Sequence, residues 1–136
     1  MRKGAYVFID KLKQAIEGEY RDYYFYRSMY EIAEDPLWRD FIQHAFEDEK
    51  SHYEMFQQLY YMMTGTFVQN PKKPIPCYNL KQGVKQALVG ELDGVETYKE
   101  MLLTIPFQQA YNPLFIAMHD EMEHAIRMSM IYNSLR

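Results

Sequence analysis

Displaced by 72 positions, the chain overlays itself. Lys13-Gln14-Ala15 falls on Lys85-Gln86-Ala87, Gly18-Glu19 on Gly90-Glu91, Tyr26 on Tyr98, and Met29 on Met101. Further along, Ala45 falls on Ala117, Asp48-Glu49 on Asp120-Glu121, and His52 on His124. About a quarter of residues 12 to 60 find an identical partner. The matched types are not mainly apolar, so shared helical periodicity does not account for them. A chain of 136 residues with this duplication is expected to place two copies of one supersecondary unit in a single domain, residues 1–136.

That unit reads as a helical hairpin. Gly and Pro are sparse in four long tracts and cluster between them. The first tract covers residues 5 to 34. Asp35-Pro36 then supplies an N-cap followed by proline at the first helical position, and the second tract runs to about Met63, with Gly65 as its stop. Asn79 can cap a third tract that ends before Pro106, and Asn112-Pro113 repeats the cap-plus-proline signal for a fourth. In the second tract Leu37, Phe41, Ala45, Glu49, His52 and Phe56 make one helical face, apolar at both ends and polar in the middle. The fold expected is all-α: an antiparallel four-helix bundle of two hairpins, about 5–65 and about 79–134, joined by a crossover over 66–78. Twofold-related hairpins require the second and third helices to run in the same sense, so the crossover must travel the bundle's length. Thirteen residues reach about 43 Å, and a helix of roughly 25 residues is about 38 Å long.

Antiparallel geometry levels the acidic residues. Glu19 and Glu49 are equidistant from residue 34, beside one break, and Glu91 and Glu121 from Pro106, beside the other. Glu49 with His52, and Glu121 with His124, are spaced i, i+3 and share a helix face. Packing the hairpins together gathers four glutamates and two histidines at mid-height. Uncompensated buried carboxylates cost several kcal/mol each. Two divalent cations would cancel four glutamates, with neutral imidazoles completing the shell, and carboxylate plus imidazole suits iron or manganese, zinc being left open. Glu17 competes with Glu19, but only Glu19 has a glutamate partner in the repeat. His44 and His119 have no such partners and are not read as ligands.

Other classes of function are disfavoured. A net charge of −4 with no basic run argues against nucleic acid. No apolar run approaches the ~18 residues of a membrane span, and the N-terminus does not read as a signal peptide. Cys77 is the sole cysteine, which excludes an internal disulfide or a Cys-x-x-Cys motif and fits a free thiol in a reducing cytoplasm.

The ligand pattern, two single glutamates plus two Glu-x-x-His pairs, is that of di-iron and di-manganese carboxylate bundles. Through Gly18-Glu19 with Tyr26, Glu49 with His52, Gly90-Glu91 with Tyr98, and Glu121 with His124, the chain resembles a ferritin-like protein of the rubrerythrin type, reduced to its four-helix domain. The resemblance implies that Glu49 and Glu121 bridge two metal ions, iron first, with Glu19 and His52 completing one shell and Glu91 and His124 the other. It implies that Asp48 and Asp120 accept hydrogen bonds from the histidine of the opposite hairpin, and that Tyr26 and Tyr98, candidate catalytic residues, donate to the terminal glutamates. It implies chemistry with O2 or hydrogen peroxide, of ferroxidase or peroxidase type, and a homodimer or larger homo-oligomer. Two departures matter. No rubredoxin module is present, so an external electron donor is expected. Gly94 stands where rubrerythrins usually carry a further glutamate, and Glu96 lies about 140° round the helix from Glu91. The alternatives are iron handling or storage, a metal bundle without turnover, and di-manganese peroxide dismutation.

Overall fold

A computed structural model describes residues 3–135. Four helices, α1 (Lys3–Ile32), α2 (Pro36–Thr64), α3 (Leu80–Leu103) and α4 (Tyr111–Ser134), form the bundle. α1 packs chiefly on α2, and α3 on α4, so the two hairpins of the repeat are the two halves of the structure. No described helix is long and apolar enough to cross a membrane.

The local signals that stop and start these helices are chemical. The Asp35 carboxylate accepts from the Leu37 and Trp38 amides at 2.9 and 3.1 Å, occupying two donors that the first turn of α2 leaves free. Arg39 reaches back to the Tyr30 and Ala33 carbonyls at 2.8 and 3.0 Å, covering the open end of α1. Gly65 ends α2 at φ 79°, in the left-handed region that costs glycine little. Asn79 caps α3 through the Gln82 amide.

Two expectations are corrected. Asn112 does not cap α4: a 3-10 turn over Gln108–Ala110 runs directly into the helix, whose cap position is Ala110 without a side-chain bond. Pro113 thus sits inside the first turn, where its missing N–H would have had no helical partner anyway. Leu37 does not lie on the inner face of α2; it is 54% exposed, and Trp38 and Ile42 turn inward instead. Eight residues before Ala45 drifts about 80° round the helix, whereas seven drifts only about 20°.

The crossover, residues 65–79, follows the outside of the first hairpin. Val68 exchanges both backbone hydrogen bonds with the Gln57 side-chain amide, at 2.8 and 3.0 Å, near the end of α2. At the far end the Cys77 amide donates to Ser28 Oγ at 2.8 Å. Cys77 is buried against α3 at Gly83, where a Cβ would fall far inside the van der Waals radius of Cys77 Sγ. Gly83→Ala should therefore destabilise the fold by about 1–3 kcal/mol, read as a lower urea midpoint with unchanged slope. A midpoint equal to wild type would show that the crossover is not held there.

Apolar packing forms two clusters, one at each end of the bundle. Phe8, Leu12, Ile16, Phe56, Met101 and Leu114 belong to the first, and Met29, Ile42, Ala45, Val84, Met128 and Ile131 to the second. Between them lies a buried polar layer.

Candidate metal centre

That layer consists of Glu19 from α1, Glu49 and His52 from α2, Glu91 from α3, and Glu121 and His124 from α4, all 2% exposed or less. Candidate ligand atoms fall into two groups, each with every atom within 4.8 Å of the others. One is Glu19, Glu49, His52 and Glu121; the other is Glu49, Glu91, Glu121 and His124. Glu49 and Glu121 belong to both. His52 Nδ1 stands 3.3 Å from Glu19 Oε2 and 3.3 Å from Glu121 Oε1, and His124 Nδ1 stands 3.2 Å from Glu49 Oε1 and 3.4 Å from Glu91 Oε2.

Four other polar atoms of these side chains have partners. His52 Nε2 lies 2.7 Å from Asp120 Oδ2, and His124 Nε2 lies 2.8 Å from Asp48 Oδ2, each pair joining the two hairpins. An aspartate that accepts from Nε2–H leaves Nδ1 as the ring nitrogen facing the layer, where it offers a lone pair once the imidazole is neutral. Tyr26 donates to Glu91 Oε1 at 2.6 Å, and Tyr98 donates to Glu19 Oε1, so each tyrosine serves the glutamate of the other hairpin. What is left over is informative. Glu19 Oε2, both oxygens of Glu49, Glu91 Oε2, Glu121 Oε1 and the two Nδ1 atoms have no hydrogen-bond partner although they are buried. Native interiors rarely leave such atoms unpaired, and here they face one another. Oxygen and imidazole nitrogen donors converging at mid-bundle are the arrangement a pair of divalent cations needs.

Electrostatics single out the shared pair. Burial, then the surrounding carboxylates, pushes Glu49 and Glu121 well above the usual carboxylate range. Burial also works against ionised Glu19, but His52 more than offsets it and holds that carboxyl below its usual value. The imidazolium of His52 is likewise opposed by burial, yet Glu19, then Asp120 and Glu121, push its pKa up to about 12. For His124 burial is outweighed by Asp48 and Glu91, and the pKa rises to about 10. Without added cations both imidazoles thus retain their protons at neutral pH, and the shared acids are pushed toward their protonated form. Tyr26 and Tyr98, raised by burial and by the glutamates they serve, stay protonated and able to donate.

The third group of metal-type side chains, His119, Asp120 and Glu123, lies toward the surface. Glu96 is also exposed, paired with Lys99 at 3.0 Å. Asp22 was not singled out by the repeat, because its counterpart is Gly94. It lies at the α1–α3 seam beside Tyr26 and Glu91, where burial and then Glu19 and Glu91 push its carboxyl well above the usual range. The spacing Glu19-x-x-Asp22 was the one available signal. Across the seam, a cleft of about 420 Å3 reaches Glu121 past Gly18, Gly90 and Gly94. A Cβ at residue 94 would stand 3.2 Å from Glu121 Oε2, so glycine keeps that approach to the layer open.

Four antiparallel helices with a long crossover and a buried Glu/His layer define a ferritin-like bundle whose interior fits a two-metal site. A ferritin-like, diiron-carboxylate protein from Bacillus anthracis str. Ames superposes with a TM-score of 0.84 at 15% identity, over 97% of this chain and 99% of that one. A hypothetical protein from Pyrococcus furiosus superposes with a TM-score of 0.83 at 19% identity, over 97% of this chain and 92% of that one. The chain belongs to the family of the uncharacterized protein YhjR of Bacillus subtilis (strain 168), with 30% identity over 121 residues, 88% of this chain and 83% of that protein. No family model matches the chain.

Proposed function

We propose that this chain is a dinuclear-metal oxidoreductase that uses iron, reacts with O2 or hydrogen peroxide in the manner of a ferroxidase or peroxidase, and draws on an external reductant. The observation that carries this reading is the convergence of buried, unpartnered carboxylate oxygens and imidazole nitrogens from all four helices. The description of the Bacillus anthracis bundle as a diiron-carboxylate protein supports iron as the metal.

In this reading Glu19 and His52 hold one ion, Glu91 and His124 the other, and Glu49 and Glu121 are shared. Redox-active ions held there would supply electrons, two per site, to a small oxidant. The chain's own residues do the rest. Asp48 and Asp120 orient the imidazoles. Tyr26 and Tyr98 each keep a proton on one oxygen's partner bond, so that the second oxygen of Glu91 and Glu19 remains free to bind. The apolar clusters on either side exclude bulk water, and the glycine-lined cleft at Gly94 leaves room for a reactant of few atoms.

The test is anaerobic loading with Fe(II), followed by O2 or peroxide in separate runs. Two Fe(II) per chain should be bound and oxidised. Glu49→Ala and His124→Ala should lose that oxidation while keeping helical content. Full stoichiometric oxidation in both variants would refute the site, and a wild type that binds two metals but consumes neither oxidant would refute the redox role.

A further inference from the structure

Gly18, Gly90 and Gly94 line the α1–α3 seam, each well inside a helix, where glycine is less stable than alanine. Close helix packing does not account for the first two. A Cβ at Gly90 would meet nothing within 4 Å, and one at Gly18 only Arg21 Nη2 at 3.6 Å. The glycines leave the seam hollow, and the hollow is uneven. One cleft measures about 420 Å3 and its neighbour about 40 Å3. The two are images under the repeat. The 72-residue shift carries Asp22, Phe25, Tyr26 and Gly90 of the small cleft onto Gly94, Thr97, Tyr98 and Gly18 of the large one. Side chains make the difference: a carboxyl and a phenyl ring take up the first, where a bare glycine and a threonine line the second.

Each cleft ends on different members of the layer. The small one reaches Glu91 and its donor Tyr26. The large one reaches Glu121 and also Tyr98, the donor to Glu19. Glu121 and Glu19 each stand 3.3 Å from His52 Nδ1. Glu121 Oε1 is buried without a hydrogen-bond partner, and Oε2 lies 3.2 Å from where a Cβ on residue 94 would stand. The Glu121 side chain is 3% exposed, against 0% for its repeat partner Glu49.

We propose that a reactant reaches the layer from one side only, through the Gly94 cleft, and so meets the Glu19–His52 metal position and not the Glu91–His124 one. This rests on the two-metal reading above. The lining also specifies the class of reactant. Gln14 and Thr97 offer hydrogen bonds, and Lys11 and Arg21 stand with Asp22, Asp93 and Glu100, so no single sign of charge draws an ion inward. Such a path favours a small uncharged molecule that exchanges hydrogen bonds with water for hydrogen bonds with the wall. Of O2 and hydrogen peroxide, only peroxide has O–H groups to make those bonds.

Water is a reporter of the same class. In protein loaded with Mn(II), water exchanging through the cleft shows as solvent-proton relaxation. Thr97→Phe copies Phe25 onto the open side, at an exposed position outside the ligand set. It should lower relaxation per bound Mn(II) about twofold and slow peroxide oxidation of the Fe(II)-loaded protein about tenfold, with metal stoichiometry unchanged. Gly94→Ala, whose added methyl stands over Glu121, should lower both in the same direction. Gln86→Phe, exposed and on the closed side, should change neither. Unchanged relaxation in both Thr97→Phe and Gly94→Ala, or an equal loss in Gln86→Phe, overturns the one-sided entrance and leaves the two-metal reading in place. Relaxation that falls as expected in a protein that consumes no peroxide supports the entrance and refutes the redox role instead.

Discussion

Glu49→Met is expected to make the metal-free protein more stable, by about 1–4 kcal/mol, while abolishing its uptake of metal. Glu49 is fully buried and neither of its oxygens has a hydrogen-bond partner. Its ionised form is opposed by burial and by Glu121, Glu19 and Glu91. Without cations it is the member of the layer with least to gain. Methionine has similar length, no unsatisfied polar atom, and the flexibility to fill the space. The substitution takes from His124 Nδ1 its 3.2 Å neighbour Glu49 Oε1, but the two imidazoles keep Glu19, Glu91, Glu121, Asp48 and Asp120 as partners, so no positive charge is left stranded. Urea unfolding in chelator, alongside metal analysis, reads both effects. A variant less stable than chelated wild type would show that Glu49 is held by something other than a need for cations.

Loading with divalent metal should raise the stability of the wild type by about 4 kcal/mol once free metal exceeds its Kd a thousandfold. For a domain of this size that is a rise in Tm on the order of 10–15 °C. The effect has a definite pH sign. His52 and His124 have folded pKa values of about 12 and about 10, above the ordinary 6.5. Their contribution to the metal-free fold is fully present below pH 6.5 and is lost as pH rises through about 10 and about 12. Metal bound at these imidazoles would replace those protons, so the loaded protein would not share that loss, and each displaced proton would strengthen binding by about 1.4 kcal/mol per pH unit. The difference in Tm between Mn(II)-loaded and chelated protein should therefore widen from pH 6 to pH 8.5, with protons released on loading in weak buffer. A gap that narrows over that range, or no gap with any transition metal, would remove the case for a cation-binding layer.

Both results follow from a layer whose members were readable far apart in the chain. The repeat pairs Glu19 with Glu91, Glu49 with Glu121 and His52 with His124, and helical spacing alone sets Glu49 and His52 on one face. The Asp35-Pro36 cap and the Gly65 stop were legible because each acts through bonds within a few residues of itself. Asn112-Pro113 carried the same local signal and misled, because the 3-10 turn before it started the helix early. Leu37 misled because a four-residue period drifts off the stripe that contact with other helices selects. Asp22 went unseen because a search for matched pairs discards a position whose partner is glycine.

The sequence by itself determined that there are four helices in two duplicated arms, and which acids and imidazoles share a height. These are consequences of periodicity, capping and symmetry, all of them short-range or arithmetical. Only the tertiary structure decided that Glu49 and Glu121 belong to both candidate ligand groups, and that Tyr26 and Tyr98 bond across to the opposite hairpin. It alone decided that the crossover follows the outside of the first hairpin. Those outcomes depend on how two independently folded hairpins dock, and docking is set by the distances between side chains that no spacing along one chain records.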